Sequence, residues 1–424
     1  MAGRKYDIVL YGATGFVGSR AAEYLASHEQ LQSRRRWAIA GRDQGKLEAL
    51  RRRLGGRPDL RVADSGDVRA LRAIAGDARV VLSTAGPFAL YGDALVEACV
   101  ARRTHYADIT GETAWVRSLI DRHHARAERD GTRIVPFAGF DSVPSDLGTL
   151  LVVRQLQRAL SAEPVEVAAY FRMMGGFNGG TIASDIHRRE SGEIEMGRDP
   201  FVLDPADGHS REEIERNRDP QGTHFDASVG AWVGPFVMGP INTRVVRRSA
   251  ALHARWGEGY GPRFRYQEYT KYGAPMAHAK AALVTGLMSG YDSVMSRPSL
   301  RGLLKRLLPK PGAGPSETTM ASGWFVTELV ARAADGRLAR AEIAFDGDPG
   351  NRATLRFLCE SGLCLAFDGD RLPGGTARGG VLTPATALGE ALVPRLRAAG
   401  FRIEVTAQPE ARSSKTMRSG RPRQ

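Results

Sequence analysis

The N-terminal third of the chain alternates short apolar runs with helical stretches. Six apolar runs, the first at residues 6–12 and the last at 132–139, are separated by amphipathic or polar segments. Strands separated by helices of about ten to fifteen residues form a parallel sheet with helices on both faces. The pattern therefore predicts an α/β fold, in which residues 1–142 form a doubly wound Rossmann domain that binds a dinucleotide.

The stretch YGATGFVG at residues 11–18 places three glycines between the first strand and the first helix. Gly12 permits a tight turn, Gly15 lets the backbone approach a pyrophosphate, and Gly18 lets the helix pack close to the strand. A plain strand-to-helix turn would also need glycine, but the surrounding pattern favours a phosphate-binding cradle at the helix N-terminus. The other cofactor-binding candidates in this turn are Thr14, Phe16 and Val17.

The end of the second strand indicates which dinucleotide binds. A site for NAD places an Asp or Glu there to bond the ribose 2′-hydroxyl. This chain has Arg42, whose planar guanidinium suits a 2′-phosphate, and Lys46 adds a second positive charge one turn later. Asp43 is expected to cap the following helix instead. We therefore expect NADPH or NADP as the cofactor.

Further cofactor contacts are expected at the carboxyl ends of later strands, where open α/β sheets bind ligands. Asp64 ends the third strand and is expected near the adenine. Ser83, Gly86 and Pro87 follow the fourth strand and are expected to line the ribose and nicotinamide side.

Two other strand ends, HYADITGE and GFDSVPSDLG, are unusually polar and should border the cleft between the domains. Hydride transfer to a substrate needs a nearby proton donor. Tyr106, Asp141 and Ser142 are the candidates for this catalytic role. Helix capping is the alternative for such residues, above all for Ser145 and Asp146, which precede the next predicted helix.

Several catalytic patterns are absent from the sequence. It contains no Tyr-x-x-x-Lys pair, no G-x-S-x-G elbow and no H-E-x-x-H motif. Its three cysteines are too few and too scattered for a disulfide framework or a zinc site, and the adjacent His123 and His124 are expected on a helix surface. We therefore expect no metal site and no short-chain dehydrogenase mechanism.

The alternation ends near residue 142, and residues 143–410 predict a mixed α+β domain for substrate binding and homodimer formation. A helix near 383–399 has Thr383 as its N-cap, Pro384 in its first turn and Gly400 after its end. Loops around short elements are expected at 175–240, and strands are expected at 165–176, 324–333, 338–347 and 353–362.

The formal net charge of +13 is concentrated in two segments. Residues 297–310 and 411–424 each carry five basic residues and no acidic one. No aromatic residues are interleaved with either segment, which argues against nucleic acid as a partner. The tail at 411–424 is expected to be disordered and solvated.

Residues 299–308 predict a short basic helix with a leucine stripe. This stripe could cover the protein's own core, dock an acidic carrier protein, or contact a membrane interface weakly. The start of the chain lacks the apolar stretch of a secretory signal, and no run is long enough to span a membrane. We therefore expect a cytoplasmic protein, placed at the inner face of the plasma membrane if the third alternative holds.

The segments DIVLYGATGFVG, AIAGR, STAGPFALYG, HYADITGE and FAGFDSVPSDLG, followed by GPFVMGPINTRVVRRS and GGVLTPATALGEAL, span nearly the whole chain. Together they resemble the saccharopine dehydrogenase-like oxidoreductases, and more closely the trans-acting enoyl reductases of mycobacterial lipid synthesis. The resemblance implies NADPH-dependent saturation of an enoyl thioester held by a carrier protein or polyketide synthase, within lipid or glycolipid biosynthesis.

Two alternative functions remain open on the sequence. One is an amino-acid oxidoreductase of the saccharopine class, whose substrate carboxylates the arginines of NTRVVRRS could bind. Those arginines could equally hold a pantetheine phosphate. The other alternative is a non-catalytic NADP-binding protein associated with a membrane.

Overall fold

The computed structural model describes residues 3–176, 178–204, 208–304 and 313–408, which form two seven-stranded sheets. Fourteen strands occur in these residues. In chain order they are Tyr6–Tyr11 (β1), Trp37–Gly41 (β2), Asp59–Val62 (β3), Ala78–Ser83 (β4), His105–Asp108 (β5), Arg133–Val135 (β6), Pro164–Met174 (β7), His224–Asp226 (β8), Ala231–Pro235 (β9), Arg265–Tyr272 (β10), Trp324–Ala333 (β11), Leu338–Phe345 (β12), Gly380–Val381 (β13) and Arg402–Gln408 (β14).

The first sheet is parallel throughout and has the order β13-β6-β5-β4-β1-β2-β3. The strand order reverses between β1 and β4, which creates a crevice at their carboxyl ends. The predicted Rossmann arrangement is confirmed. Its outer strand β13 comes from the C-terminal part of the chain, where Gly380 pairs with Arg133, so residues expected in the second domain complete the first sheet.

The second sheet has the order β14-β12-β11-β7-β10-β9-β8 and is antiparallel except where β7 pairs with β10. Helix Val143–Leu160 packs on one face of it. A Cβ added to Gly148 would lie 2.6 Å from Cδ1 of Leu329, so the missing side chain allows this close approach. The predicted second mixed domain is confirmed in its architecture, while its boundary near residue 142 stays a prediction.

Eighteen α-helices connect and cover the strands in the described residues. They are Phe16–Ser27, Glu29–Arg34, Gln44–Arg53, Val68–Asp77, Phe88–Tyr91, Asp93–Arg102, Thr113–Arg129, Val143–Leu160, Gly179–Glu190, Glu193–Gly197, Arg211–Arg216, Gly239–Arg255, Ala277–Met295, Pro298–Leu304, Glu317–Ser322, Thr354–Phe367, Pro384–Leu388 and Leu392–Ala398.

The strand expected at 353–362 is wrong, because these residues belong to helix Thr354–Phe367. This helix is buried on nearly all sides, so its sequence shows no amphipathic period that would separate a helix from a strand. The start signal lies just upstream, where Asp348 accepts a hydrogen bond from the N–H of Arg352 and Pro349 occupies the first turn. Its Gly362 packs directly on Leu82 of β4.

The C-terminal helix begins as predicted but is interrupted. Thr383 caps it in a capping box with Thr386, and Pro384 is in the first turn. Gly389 has φ +54° and ends helix Pro384–Leu388, after which a 3₁₀ turn leads into the second segment, Leu392–Ala398. The single helix expected over 383–399 is therefore two helices.

Three other expectations concern the middle and the end of the chain. Residues 175–240 contain more regular structure than predicted, including the twelve-residue helix Gly179–Glu190. Of the predicted helix at 299–308, the structure describes the backbone through Leu304, in helix Pro298–Leu304, and the rest lies outside the described residues. The tail at 411–424 also lies outside them.

The two sheets share one hydrophobic core. It runs from Ile8 and Leu82 of the first sheet through Phe357 to Leu329 and Ile343 of the second. Helices Val143–Leu160 and Thr354–Phe367 lie between the sheets and supply much of this core. The carboxyl ends of the first sheet consequently face segments that belong to the second.

Candidate active site

The three glycines between β1 and the first helix have distinct surroundings. Gly12 has φ +79°, and a Cβ there would lie 2.9 Å from both the backbone nitrogen of Ala85 and Oγ1 of Thr84. A Cβ on Gly18 would overlap the carbonyl oxygen of Gly12. Gly15 is exposed, and the nearest atom to its Cβ position is 3.3 Å away. The turn itself therefore requires Gly12 and Gly18, while Gly15 leaves space for a ligand.

Helix Phe16–Ser27 presents its N-terminus to that space. No side chain caps it at Gly15, and the first backbone hydrogen bond of the helix runs from the N–H of Ser19 to the Gly15 oxygen at 2.9 Å. Thr14 is partly exposed beside the turn, whereas the Val17 side chain is buried and leaves only its N–H for a ligand. Uncapped N–H groups and the helix dipole attract phosphate, so the cradle fits the pyrophosphate of a dinucleotide.

Phe16 borders the cradle on the side of the second sheet. The Arg20 guanidinium lies 4.0 Å from the centre of its ring, and the backbone at Gly314 packs against the ring so closely that a Cβ there would overlap it. Arg20 also forms an ion pair at 2.8 Å with Glu317. The segment after residue 312 therefore closes one side of the cradle.

The predicted selectivity residues lie at the edge formed by β2 and β3. Arg42 is exposed directly after β2, and its guanidinium has no hydrogen bond or ion pair within the described part of the chain. Asp43 caps the next helix as predicted, since its Oδ1 accepts the N–H of Lys46 at 3.0 Å. Burial raises the pKa of Tyr11 to about 12, with Asp64 raising it further and Arg42 opposing it, which places both charges near one phenol. An exposed, unpaired guanidinium at this edge fits a 2′-phosphate.

The residues expected near the nicotinamide lie in the loop after β4. Ser83 is buried, and its Oγ accepts a hydrogen bond from the N–H of Ala85 at 3.4 Å. This side chain therefore helps to fix the conformation of the loop. Gly86 and Pro87 lead directly into the short helix Phe88–Tyr91. These backbone positions are the part of the loop that can face a cofactor.

Glu112 holds this loop in place, a role the sequence did not reveal. Its buried carboxylate accepts the N–H of Phe88 at 2.9 Å and the N–H of Ala89 at 2.7 Å. It also accepts the hydroxyl of Ser184, from helix Gly179–Glu190, at 2.8 Å. Glu112 therefore joins the loop after β4 to a helix of the second part of the chain.

Tyr106 does not border the cleft as expected. Its side chain is fully buried, and its hydroxyl donates to Oδ2 of Asp108 at 2.8 Å. Burial raises the pKa of Asp108 to about 7, although the N–H of Thr110 and the Tyr106 hydroxyl both oppose this rise. In this position Tyr106 orients Asp108 and does not reach a substrate.

Asp141 has the environment expected of a proton donor. It is half-buried after β6, and its carboxyl group has no hydrogen-bond partner within the described ranges. A Cβ on Gly111 would lie 3.7 Å from its Oδ2 and 3.1 Å from Ile241. Burial raises the pKa of Asp141 to about 6, and the positive charge of Arg188 opposes part of the rise. A carboxyl group with such a pKa can exist protonated near neutral pH.

Arg188 complements this carboxyl group and was missed by the sequence analysis. It lies on helix Gly179–Glu190, and its guanidinium has no hydrogen bond or ion pair in the part of the chain that the structure describes. Burial lowers its pKa, while Asp185, Glu112 and Glu193 oppose that change. The helix start signal was present in the sequence, since Asn178 accepts the N–H groups of Gly180 and Thr181 at 2.9 and 3.1 Å.

Ser142 lies in a buried polar network and not at the cleft surface. Its hydroxyl donates to Oδ1 of Asn242 at 3.1 Å, and the amide of Asn242 donates to Glu268 at 3.0 Å. Tyr266 donates to the same carboxylate at 2.6 Å, while burial raises the pKa of Glu268 to about 7. Ser142 therefore connects the end of β6 to the second sheet, and a direct catalytic role for it is not supported by this geometry.

Asp146 differs from the expected helix cap. Its carboxylate accepts the N–H of Ala385 at 2.7 Å and the hydroxyl of Ser249. The Ser145 side chain makes no cap either, because helix Val143–Leu160 has no side-chain cap at its start. Asp146 instead fastens the C-terminal helix to the core.

The arginines of NTRVVRRS are structural. Arg244, Arg247 and Arg248 are all buried on helix Gly239–Arg255. Arg247 donates to the carbonyl oxygens of Pro200, Asn217 and Tyr266 at 3.0, 2.8 and 3.2 Å. Arg244 and Arg248 likewise donate to backbone oxygens of the 197–203 segment, and Arg244 pairs with Asp219. The expectation that they bind substrate carboxylates or a phosphate is wrong.

In the part of the chain that the structure describes, no cluster of three or more His, Cys, Asp or Glu side chains has the arrangement of a metal site. No helix there combines the length and the apolar character needed to cross a bilayer.

Comparison with known proteins places this chain in a family. Residues 8–135 match the family model "Saccharopine dehydrogenase NADP binding domain". The trans-acting enoyl reductase of Mycobacterium tuberculosis strain H37Rv is 39% identical over 422 residues, which cover 96% of this chain and 99% of that protein. Rv2449c of the same strain, whose name also describes a trans-acting enoyl reductase, is 41% identical over 419 residues. These cover 95% of this chain and 98% of that protein.

A solved structure shows the same fold across the chain. The homospermidine synthase of Legionella pneumophila, determined in complex with NAD, superimposes with a TM-score of 0.50 at 10% identity, covering 99% of this chain and 94% of that one. This likeness concerns the fold alone. Taken with the family model and the full-length relatives, the expectation of an NADP-binding enzyme is confirmed. The chain belongs to the trans-acting enoyl reductase family and is an NADP-dependent oxidoreductase.

Proposed function

We propose that this protein reduces the double bond of an enoyl thioester with NADPH and acts in trans on a substrate carried by a synthase or its carrier protein. The observation that carries the proposal is the half-buried Asp141, whose unpartnered carboxyl group has a raised pKa and is within the electrostatic influence of Arg188. The names of the full-length relatives support the same reaction.

NADPH, when bound, supplies a hydride to the β-carbon of the enoyl group. The glycine turn and Arg42 would hold the two phosphate regions, and the loop after Ser83 would hold the other end. Negative charge then develops on the thioester oxygen, where the Arg188 guanidinium can stabilise it. Asp141, in its protonated form, can deliver the proton to the α-carbon.

The buried arginines weigh against a saccharopine-type substrate. Such a substrate carries several carboxylates, each of which needs a cation or several hydrogen-bond donors. Arg244, Arg247 and Arg248 are committed to backbone carbonyl oxygens. Among the residues that the structure describes, Arg188 is an unpaired cation near Asp141, and a single guanidinium suits one developing oxyanion better than several carboxylates.

The proposal places the protein in lipid or glycolipid biosynthesis, in the cytoplasm, at the inner face of the plasma membrane. An enoyl chain delivered by a partner synthase is the substrate that the relatives' names indicate. The concentration of basic residues at 297–310 supports an anionic surface nearby. The homodimer expected from the sequence stays a prediction.

Asp141→Asn tests the proton donor. With crotonyl and longer enoyl thioesters, kcat should fall by about 10²- to 10⁴-fold, because the amide cannot donate the proton. NADPH affinity, measured by fluorescence titration, should be unchanged. In the parent, kcat should decline as pH rises above about 6, since the carboxyl group whose folded-state pKa is raised to about 6 loses its proton there; the variant should lack this dependence.

Asp121→Asn is the matched control, because Asp121 pairs with Arg117 on a helix surface. It should behave as the parent at every pH. Full activity of Asp141→Asn with an unaltered pH profile would exclude Asp141 as the donor. A parent without enoyl reduction but active on saccharopine would exclude the proposed substrate.

A further inference from the structure

Helix Ala277–Met295 exposes most of its apolar side chains. Leu283 and Leu287 are 64% and 65% exposed, and Met276, just before the helix, is 73% exposed. Val284 and Tyr291 are exposed as well, whereas only Ala281 and Met295 of the helix are buried. Exposed apolar patches of this kind mark surfaces that bind another protein or a membrane.

Most of these exposed residues share one face of the helix, from which Val284 is rotated by about 100°. Leu283, Leu287 and Tyr291 are spaced by four residues, and Met276 lies two turns before Leu283 on the same side. Lys280 is the charged residue of this face. Over 19 residues, at 1.5 Å per residue, the face extends for roughly 28 Å. We call it the apolar face of helix 277–295.

The unpaired charges beside this face are positive. Lys271, before the helix, and Arg301, after it, are paired with Glu328 and Glu190 at 2.8 and 3.7 Å. Asp292 is not free, because its carboxylate forms an ion pair at 2.8 Å with Arg189. Lys280 and Arg297 are exposed at the two ends of the helix. The surroundings of the apolar face are therefore complementary to an anionic surface.

The helix is fixed to the protein by its opposite side, where the centres of the His278 and Trp232 rings lie 4.3 Å apart, and by Tyr291 at the C-terminal end of the apolar face. The Tyr291 hydroxyl donates to Asp185 at 3.1 Å, and the Arg189 guanidinium lies 5.6 Å from the centre of the Tyr291 ring. Asp185 and Arg189 belong to helix Gly179–Glu190, which carries Ser184 and Arg188 of the active site. The apolar face is thus held outward, next to the helix that covers the cleft.

We propose that the apolar face of helix 277–295 lies in the interface of an anionic lipid bilayer and holds the protein there peripherally. Leu283, Leu287 and Met276 enter the boundary of the acyl chains, and Lys280 and Arg297 contact the headgroups. The apolar face precedes residues 299–308 in the sequence. Membrane binding through it does not depend on the proposed enoyl reduction.

A second copy of the chain fits this face less well. A symmetric contact would bring two sets of basic residues together, and like charges repel without an acidic residue between them. A bilayer that contains anionic lipid supplies both an apolar layer and the compensating charge. Binding should therefore need anionic lipid and should weaken as salt screens the charges.

The test is co-sedimentation of the full-length protein with vesicles of phosphatidylcholine and phosphatidylglycerol, and with phosphatidylcholine alone. The parent should sediment with the mixed vesicles at low salt, and much less with neutral vesicles or at high salt. Leu283→Glu/Leu287→Glu should lower the partition coefficient by about tenfold or more, because two side chains lose their burial and two negative charges are added.

Val62→Glu/Val68→Glu is the matched control, since it adds the same charge at two exposed valines of the first domain. It should bind vesicles nearly as the parent does. Circular dichroism and NADPH binding should show that Leu283→Glu/Leu287→Glu is folded, as expected for side chains already in solvent.

Three results would overturn the proposal. One is a parent that stays in the supernatant with anionic vesicles, and another is unchanged binding by Leu283→Glu/Leu287→Glu. The third is a parent dimer in size-exclusion chromatography that this variant converts to a monomer, which would assign the apolar face to a second copy. Because no substrate is present, these results bear on the membrane position and not on the proposed enoyl reduction.

Discussion

The two ends of the candidate active site are built in different ways. The pyrophosphate end consists of backbone within residues 12–18, where Gly12 and Gly18 allow the turn and the helix N-terminus supplies N–H groups. The proposed catalytic end consists of side chains from separate segments, with Asp141 after β6 and Arg188 on helix Gly179–Glu190. A short backbone motif carries its structure in its own sequence, whereas a side-chain site depends on how distant segments pack.

Gly18→Val should have the largest effect on the backbone end. A side chain there overlaps the Gly12 carbonyl oxygen and lies within 2.7 Å of Oγ1 of Thr84, so the turn cannot form as it stands. We expect NADPH binding to be lost in fluorescence titrations and the melting temperature to fall.

Gly15→Val sharpens this result. The Cβ of residue 15 would lie 3.3 Å from the Gly12 oxygen, a tight contact but no overlap, so the melting temperature should fall less than in Gly18→Val while NADPH binding is lost to the blocked phosphate position. If Gly15→Val bound NADPH as the parent does, Gly15 would not face the pyrophosphate.

Arg188→Gln and Arg247→Gln compare an arginine without a hydrogen-bond partner among the described residues with one that donates to three buried carbonyl oxygens. Arg188→Gln should lower kcat by about 10²- to 10³-fold, the effect of removing an oxyanion stabiliser, with the stability unchanged. Arg247→Gln should instead lower the free energy of unfolding by about 2–5 kcal/mol, because three buried carbonyl oxygens lose their donors.

Urea denaturation and steady-state kinetics on the same two proteins provide the measurement. The opposite pattern, with an unstable Arg188→Gln and a stable but inactive Arg247→Gln, would reverse the roles assigned to these two side chains.

Arg42→Asp should have the smallest effect. The loss of one charge-assisted contact at an exposed position costs about 1.5–3 kcal/mol, so NADPH affinity should fall by about 10- to 100-fold relative to NADH. Arg52→Asp is the control, since Arg52 is exposed at the far end of helix Gln44–Arg53 and its side chain has no partner among the described residues. Equal preference for the two cofactors before and after Arg42→Asp would show that Arg42 does not select NADP.

The sequence by itself determined the dinucleotide-binding part of this protein. The strand–helix alternation, the glycines at 12, 15 and 18, and Arg42 after β2 are local patterns, because hydrogen bonds and φ angles within a few residues decide them. The Thr383 cap and the Asp43 cap were predictable for the same reason.

Only the tertiary structure decided the proposed catalytic end. Nothing in the local sequence distinguishes the free Arg188 from the buried Arg247, because the difference lies in which distant carbonyl oxygens each guanidinium meets. Tyr106 and Ser142 were predicted to border the cleft from strand ends. Both side chains are instead buried and hydrogen-bonded to Asp108 and Asn242, so they do not line the cleft. Helix Thr354–Phe367 was misread since burial on all sides removes the periodicity that sequence analysis relies on.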